Sequence, residues 1–352
     1  MNEDRNNDIK AKIISRKICT NGNGKIIIFA ALSILKYNYN YFDMNQFFWN
    51  AYKRLEKEVL LLSEAIHFSD DQLLVYSSKI GDLLVRTAIE VESLSKVLYF
   101  ANGGKKPIGR DLYFDTDCMQ LLEDKWSISK KTIFVGTPYF YFSEETNLTL
   151  HPLNKTNKRG TSSSKWQQAY QAVKHDRINN LKKGNVGNLL QALGSLYILN
   201  IYYRNANFET VADKDASNID WGLGSEIFSV KISCEKDGAS TEKIYEKKVD
   251  YEECIYLVKH TDESARAYIN VMTDLNKKIQ KQTLSDVEQE LNKNIRAGEL
   301  PADIDSILVQ AKALINEKNA KAMNRVIQKE KLSVYNAIIG LRFEAVLNKH
   351  QF

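Results

Sequence analysis

Eight cations lie between residues 155 and 183, and this cationic segment is the part of the sequence best suited to chemistry. Its basic residues are Lys155, Lys158, Arg159, Lys165, Lys174, Arg177, Lys182 and Lys183. Asp176 is its one acid, so the segment is near +7, whereas the whole chain is +5 and the rest sums to about −2. Such a concentration of positive charge suits a phosphate backbone. The alternative is a helix face whose cations are only solvated.

Two aromatic residues, Trp166 and Tyr170, are interleaved with these cations. Aromatic faces beside cations are typical of proteins that stack the bases of single-stranded nucleic acid. The segment therefore predicts a nucleic-acid-binding site. Its residues are Lys155, Lys158, Arg159, Lys165, Trp166, Tyr170, Lys174, Arg177, Lys182 and Lys183.

A possible catalytic pair, His175 and Arg177, lies in the same segment. An imidazole beside cations has its charged form disfavoured and can serve as a general base. Arg177 could then stabilise the negative charge of a phosphorane, which would make the chain a metal-independent ribonuclease. The simpler interpretation is a histidine that is hydrogen-bonded inside a helical bundle, with Asp176 paired to a nearby Arg or Lys. No cofactor or metal is expected, because no histidine lies at metal-ligand spacing from the cysteines.

Size and composition favour an ordinary globular protein of 352 residues, with 43% hydrophobic and 26% charged residues. Four widely spaced cysteines predict reduced thiols and a cytoplasmic location. The apolar run Ile26–Leu35 is shorter than the ~20 residues that span a bilayer, so we expect a buried element and no membrane association. Translation from Met44 instead of Met1 is an alternative, because clean helical periodicity begins there.

Four helices are predicted within residues 43–205. The first begins near Met44 after the cap Asp43, and its apolar residues from Phe47 to Ile66 repeat at helical spacing. The second follows Ser69 and ends at Asn102. The third begins after Ser164 and ends at Gly184, and a fourth apolar helix follows. Acids on the second helix, including Glu92, could neutralise the basic third helix across a four-helix bundle.

The remaining boundaries follow changes in periodicity. Residues 1–42 form an N-terminal extension, and a partly β insertion at 105–162 interrupts the bundle. Alternating residues predict a small antiparallel β meander at 206–262. Helical pattern returns in a C-terminal region at 263–352, where Gly298 ends one helix. The fold class is therefore mainly α. The tail from Ala302 to Lys349 carries an apolar stripe that suggests either packing on the bundle or a homodimer seam.

The region 43–205 resembles the HEPN-like helical superfamily of prokaryotes, particularly its uncharacterised members with a Tyr…Lys-His-Asp-Arg helix. The resemblance rests on the long second helix with Ala88–Lys96, on the helix from Trp166 to Arg177, and on the apolar helix Leu189–Tyr203. It implies an RNA-associated role in antiphage defence or a toxin-like system, and assembly as a dimer. It further implies metal-independent ribonuclease chemistry, carried in the family by an Arg that precedes a His by four to six residues.

This chain departs from that motif, because Arg177 follows His175 and no Arg lies at the required distance before it. The leading expectation is therefore a protein that binds RNA or another nucleic acid, with a possible protein partner encoded nearby. The alternatives are a ribonuclease that uses His175 and Arg177, and a non-catalytic module for protein interaction or oligomerisation.

Overall fold

The structure is a computed structural model that describes residues 46–154, 164–211, 215–234, 247–299 and 303–352. The predicted extension 1–42 and the apolar run within it lie outside these residues. The fold is mainly helical with small sheets, as predicted. The chain divides into two compact units, which we call the helical unit (up to Gly103, with Lys165–Arg204) and the mixed unit (Gly104–Ser164, with Asn205–Phe352).

The described helices and strands are numbered in chain order. The helices are α1 (46–63), α2 (Ser78–Ala101), α3 (Met119–Trp126), α4 (Glu145–Leu148), α5 (Lys165–His175), α6 (Arg177–Asn180), α7 (Val186–Arg204), α8 (Asp262–Ala297), α9 (Ile304–Lys329) and α10 (Lys331–Ile339). The strands are β1 (Ile133–Val135), β2 (Thr149–Leu150), β3 (Phe208–Val211), β4 (Phe228–Val230), β5 (Ile232–Cys234), β6 (Tyr256–His260) and β7 (Phe343–Leu347).

Helix α7 is the centre of the helical unit, because it is apolar on every side. Fourteen of its nineteen residues are buried, and it packs against both α2 and α5. Tyr52 of α1 packs on Tyr197 of α7, with ring centroids 5.6 Å apart. The apolar face predicted for the first helix is confirmed from Phe48 to Leu62, although Phe47 points into solvent.

Two of the predicted helices are shorter than expected. The second does not begin after Ser69, since only a single 3₁₀ turn forms at Asp70–Gln72. Helix α2 begins at Ser78, where the Ser77 hydroxyl accepts a hydrogen bond from the backbone N–H of Ile80 and caps the first turn. The third helix is broken at Asp176 into α5, α6 and a 3₁₀ turn at Leu181–Lys183. Asp176 caps α6 by accepting from the N–H of Asn179, so it starts a new helix there.

The predicted antiparallel meander at 206–262 is wrong in its pairing. Strand β4 joins β1 and β2 of the insertion, in the order β2-β1-β4. The second sheet has the order β3-β7-β6-β5, and its β5–β6 pair is parallel. Period-two alternation identifies a half-buried strand but carries no information about its partner, which explains the error.

The C-terminal region is not wholly helical, because β7 lies between β3 and β6 in the second sheet. Val346 is therefore part of a core with Tyr251, Cys254 and Leu257. Before β7, the helices α8 and α9 form an antiparallel hairpin, and α8 ends at Gly298 as predicted. The φ of +71° at Gly298 is left-handed, a conformation that favours glycine at a helix end.

A buried lysine ties the insertion to the second sheet inside the mixed unit. The Lys131 ammonium donates to the carbonyl oxygens of Glu252 (2.8 Å) and Cys254 (3.1 Å). The Asn348 amide donates to the same Cys254 oxygen at 3.0 Å. Burial lowers the pKa of Lys131 to about 8, since the charged form loses hydration there.

Candidate nucleic-acid interface

The described part of the cationic segment covers residues 164–183, and it belongs to the helical unit. Lys155, Lys158 and Arg159 lie outside the described residues. The five other cations, Lys165, Lys174, Arg177, Lys182 and Lys183, are all exposed. The segment therefore presents a cationic surface, as its composition predicts.

The two aromatic residues are not part of that surface. Trp166 and Tyr170 are each 1% exposed, so their faces cannot stack on bases in this conformation. Together with Ala169 and Val173 they form the buried face of α5, which packs on α2 and α7. The spacing of these four residues at i, i+3, i+4 and i+7 was the sequence signal for a buried face. The predicted role of Trp166 and Tyr170 in base stacking is therefore corrected.

The hydroxyl of the buried Tyr170 interacts with the exposed Lys174 and with Glu92. Burial raises the pKa of the Tyr170 phenol. Its hydrogen bond with Lys174 raises the pKa of that ammonium, which lies 5.3 Å from the Tyr170 ring centroid. Glu92 of α2 adds a negative charge beside both groups. Glu92 is thus close enough to act electrostatically on Lys174, one cation of the basic helix.

Arg177 is also engaged by α2. Its guanidinium donates to the Asp82 carboxylate at 2.5 Å and to the Ser78 carbonyl oxygen at 3.1 Å. Sequence reasoning missed Asp82, since no sequence spacing predicts an ion pair between residues 95 positions apart. These two hydrogen bonds hold α6 against the start of α2. They also occupy guanidinium N–H groups that Arg177 would otherwise donate to a phosphate.

The possible catalytic pair is divided between two helices. His175 is the last residue of α5 and is exposed, while Arg177 is the first residue of α6. Asp176 separates them and is used as a cap, not as a partner of His175. The guanidinium is held by Asp82, and no contact between it and the imidazole is found among the described residues. The geometry therefore gives the ribonuclease hypothesis no support.

Lys182 and Lys183 project from a tightly fixed turn. Their carbonyl oxygens accept hydrogen bonds from the side-chain amides of Asn185 (3.3 Å) and Asn188 (2.8 Å). Gly184 follows at a close approach to α2, where an added Cβ would lie 2.9 Å from the Cα of Gly81. The backbone of this turn is thus held at both ends, while its two ammonium groups extend into solvent.

Three lysines of this surface therefore carry a positive charge that no acidic side chain compensates among the described residues. Lys165, Lys182 and Lys183 are exposed, and no ion pair to any of them occurs within the part of the chain that the structure describes. Lys174 and Arg177 have acidic neighbours, so their charges are partly compensated. The surface can bind phosphate oxygens by charge, but neither Trp166 nor Tyr170 offers an aromatic face for a base. The exposed Tyr76 lies beside the turn, because its backbone pairs with that of Asn185.

Comparisons of the chain with family models, with curated proteins and with solved structures find no match. Over the described ranges, no group of three or more His, Cys, Asp or Glu side chains is arranged to hold a metal ion. No described helix combines the length and the apolar character needed to cross a bilayer.

Proposed function

We propose that the helical unit binds nucleic acid, with RNA as the expected ligand, through phosphate contacts on the cationic segment. The observation that carries the proposal is the set of exposed lysines without acidic partners, Lys165, Lys182 and Lys183, within a segment of net charge near +7. Counterion release from the phosphate backbone supplies the free energy of such binding.

The burial of Trp166 and Tyr170 sharpens the proposal. Phosphate contacts fix position but carry no sequence information, and the two aromatic residues of the cationic segment have no stacking face in this conformation. We therefore expect binding that tolerates any sequence, weakens steeply with salt and depends on the lysines of the Leu181–Lys183 turn. The HEPN-like resemblance suggests a setting in prokaryotic antiphage defence or a toxin-like system, with a protein partner encoded nearby.

The test compares two double variants that remove the same charge from different places. Lys182→Ala with Lys183→Ala removes two predicted phosphate contacts. Lys277→Ala with Lys281→Ala removes two exposed lysines of α8 and is the matched control. Fluorescence anisotropy with single-stranded RNA should show on the order of a tenfold loss of affinity at ~50 mM salt for the first variant alone.

The salt dependence distinguishes a local contact from a general effect of net charge. Each phosphate contact on a single strand contributes about −0.7 to the slope of log K against log salt, so losing two should reduce that slope by about 1.4. Equal losses in both variants would show that net charge alone attracts RNA. Undetectable binding by the wild-type chain would overturn the proposal and favour the protein-interaction alternative.

The same preparations test the ribonuclease alternative. RNA incubated with the chain in chelator should stay intact, because Arg177 is held by Asp82 and not directed toward His175. Cleavage that leaves 2′,3′-cyclic phosphate ends and disappears in His175→Ala would reinstate that alternative.

A further inference from the structure

The residues that lead into α2 are held by backbone contacts beside the turn that carries Lys182 and Lys183. The N–H of Val186 donates to the carbonyl oxygen of Val75 at 3.0 Å, and Tyr76 forms an antiparallel bridge with Asn185. Both contacts are made by the residues that directly follow the turn. The backbone of Tyr76 is therefore fixed relative to the two lysines of the turn.

The bridge also limits how far Tyr76 lies from these lysines. Paired residues in an antiparallel bridge have Cα atoms no more than about 5.5 Å apart, and consecutive Cα atoms are ~3.8 Å apart. The Cα of Lys183, two residues before Asn185, thus lies no more than about 13 Å from the Cα of Tyr76. About four nucleotides at the ~3.4 Å spacing of a helical strand cover that distance. One short stretch of a strand can therefore contact both residues.

The side chain of Tyr76 is available for such a contact. It is 52% exposed, whereas Trp166 and Tyr170 are each 1% exposed. Within the described ranges its hydroxyl forms no hydrogen bond and its ring has no aromatic or cationic neighbour. Tyr76 consequently presents an aromatic ring on a fixed backbone, which is what a stacking platform for a base requires.

A further cation lies close to Tyr76 in the first turn of α2. Lys79 is exposed, and no ion pair to it is found in the part of the chain that the structure describes. The lysine turn lies against the same helical turn, since a Cβ added at Gly184 would be 2.9 Å from the Cα of Gly81. Lys79 therefore adds its charge to the surface formed by Tyr76, Lys182 and Lys183.

The acids around this surface leave its lysines uncompensated. Asp82, the first acid of α2, is engaged by Arg177 at 2.5 Å. Asp70 and Asp71 lie earlier in the chain, in the 3₁₀ turn before Leu73. An apolar protein partner at this surface would have to bury ammonium groups without anions, which is costly. A polyanion with aromatic faces, which is a nucleic acid, suits the surface better.

We propose that Tyr76 stacks on an unpaired base of a strand whose phosphates contact Lys79, Lys182 and Lys183, so that the helical unit selects single-stranded over double-stranded RNA. The proposal rests on the proposed function, because those lysines bring the strand to the ring. In a duplex the faces of internal bases are already stacked on their neighbours, and a flipped base requires unpairing energy. Since every base has a π-face, the contact keeps the expected tolerance of sequence.

The test measures fluorescence anisotropy with a single-stranded RNA and with a blunt duplex that contains the same strand, at ~50 mM salt. Tyr76→Ala should weaken binding of the single strand by roughly fivefold or more, and binding of the duplex should not change. Tyr76→Phe should retain the wild-type affinity, because the ring remains. Tyr139→Ala is the matched control, since Tyr139 is a similarly exposed tyrosine (58%) in the mixed unit.

The salt dependence separates stacking from phosphate contact in the same experiment. Stacking releases no counterions, so Tyr76→Ala should lower the affinity for the single strand without changing the slope of log K against log salt. Lys182→Ala with Lys183→Ala should reduce that slope. Thermal unfolding of each variant checks that the substitutions leave the fold intact.

The failure of this proposal is distinguishable from failure of the proposed function. If the lysine variant loses affinity and Tyr76→Ala binds the single strand as the wild type does, stacking is overturned and phosphate binding stands. A loss that is equal for single strand and duplex, or that Tyr76→Phe shares, would also overturn stacking. A wild-type chain that binds neither RNA would overturn both proposals.

Discussion

Helices α7 and α9 are both rich in apolar residues, yet their environments are opposite. Helix α7 buries fourteen of its residues between neighbours, whereas only Ala322 and Val326 are buried among the described side chains of α9. Helix α7 is apolar around its whole circumference, which is the pattern of a central helix. Helix α9 instead leaves large apolar side chains such as Leu308, Val309 and Met323 exposed. The contrast shows that the number of apolar residues in a helix does not determine how deeply the helix is buried.

The largest expected effect comes from the same substitution made in each helix. Leu196 of α7 is 0% exposed and Leu308 of α9 is 54% exposed. Leu196→Ala should lower the free energy of unfolding by about 2–5 kcal/mol, because a buried side chain is removed and a cavity remains. Leu308→Ala should change it by less than about 0.5 kcal/mol. Chemical denaturation measures both, and similar costs would show that α9 is covered by another part of the chain.

A second pair of variants tests how tightly the cationic turn is held on α2. Gly184→Ala places a methyl group 2.9 Å from the Cα of Gly81, and backbone must move to accept it. We expect a loss of about 1–3 kcal/mol, together with weaker RNA binding as Lys182 and Lys183 shift. Gly136→Ala is the control, since its nearest neighbour would be the Ser229 hydroxyl at 4.0 Å. Unchanged stability in Gly184→Ala would mean that this turn can relax freely.

The sequence predicted the features of the fold that depend on local chemistry. The ends at Asn102 and Gly298, the apolar face of α1 and the central helix after Gly184 follow from caps and helical periodicity, and all are present. The break at Asp176 also had a local signal, because Asp is a strong N-cap residue. The Asp176 side chain was instead interpreted as an ion-pairing group, so α5 and α6 were predicted as one helix.

Features that depend on distant residues could not be predicted in the same way. The parallel pair of β5 with β6 and the position of β7 join segments far apart in the sequence. In the candidate site, composition identified the cations, but the Asp82–Arg177 ion pair required the packing of α6 on α2. The burial of Trp166 and Tyr170 was predictable from their spacing, although their types suggested a binding role.

The two units should also respond differently to acid. His260 in the mixed unit is buried against Phe343, and its Nδ1 has no hydrogen-bond partner among the described residues. Burial, followed by the nearby charge of Lys259, lowers the pKa of His260 below its usual 6.5. The two described histidines of the helical unit, His67 and His175, are exposed.

Protonation therefore favours unfolding of the mixed unit as the pH falls below 6.5. In that range the unfolded chain binds a proton at His260 more readily than the folded chain does, so the free energy of unfolding decreases with falling pH. As the pH falls from 6.5 toward the lowered pKa of His260, hydrogen exchange of the β6 amides should accelerate after correction for intrinsic rates. The α7 amides should stay protected over the same range. His260→Phe should remove this dependence. The same acid sensitivity in that variant would assign it to other groups.

Only a small effect on stability is expected for Asp82→Asn in the helical unit. Asp82 and Arg177 are both about half exposed, so their ion pair should contribute only about 0.2–1 kcal/mol. The effect on binding should be easier to detect, because the substitution removes an anion and releases the Arg177 guanidinium toward phosphate. One additional phosphate contact should steepen the slope of log K against log salt for RNA binding by about 0.7, and it should tighten binding at low salt.

The control adds Arg177→Ala to Asp82→Asn, which should cancel this gain in affinity, whereas Arg177→Ala alone should have little effect. If Asp82→Asn leaves both affinity and salt slope unchanged, the nucleic-acid surface does not extend to α6 and is confined to the lysines around it.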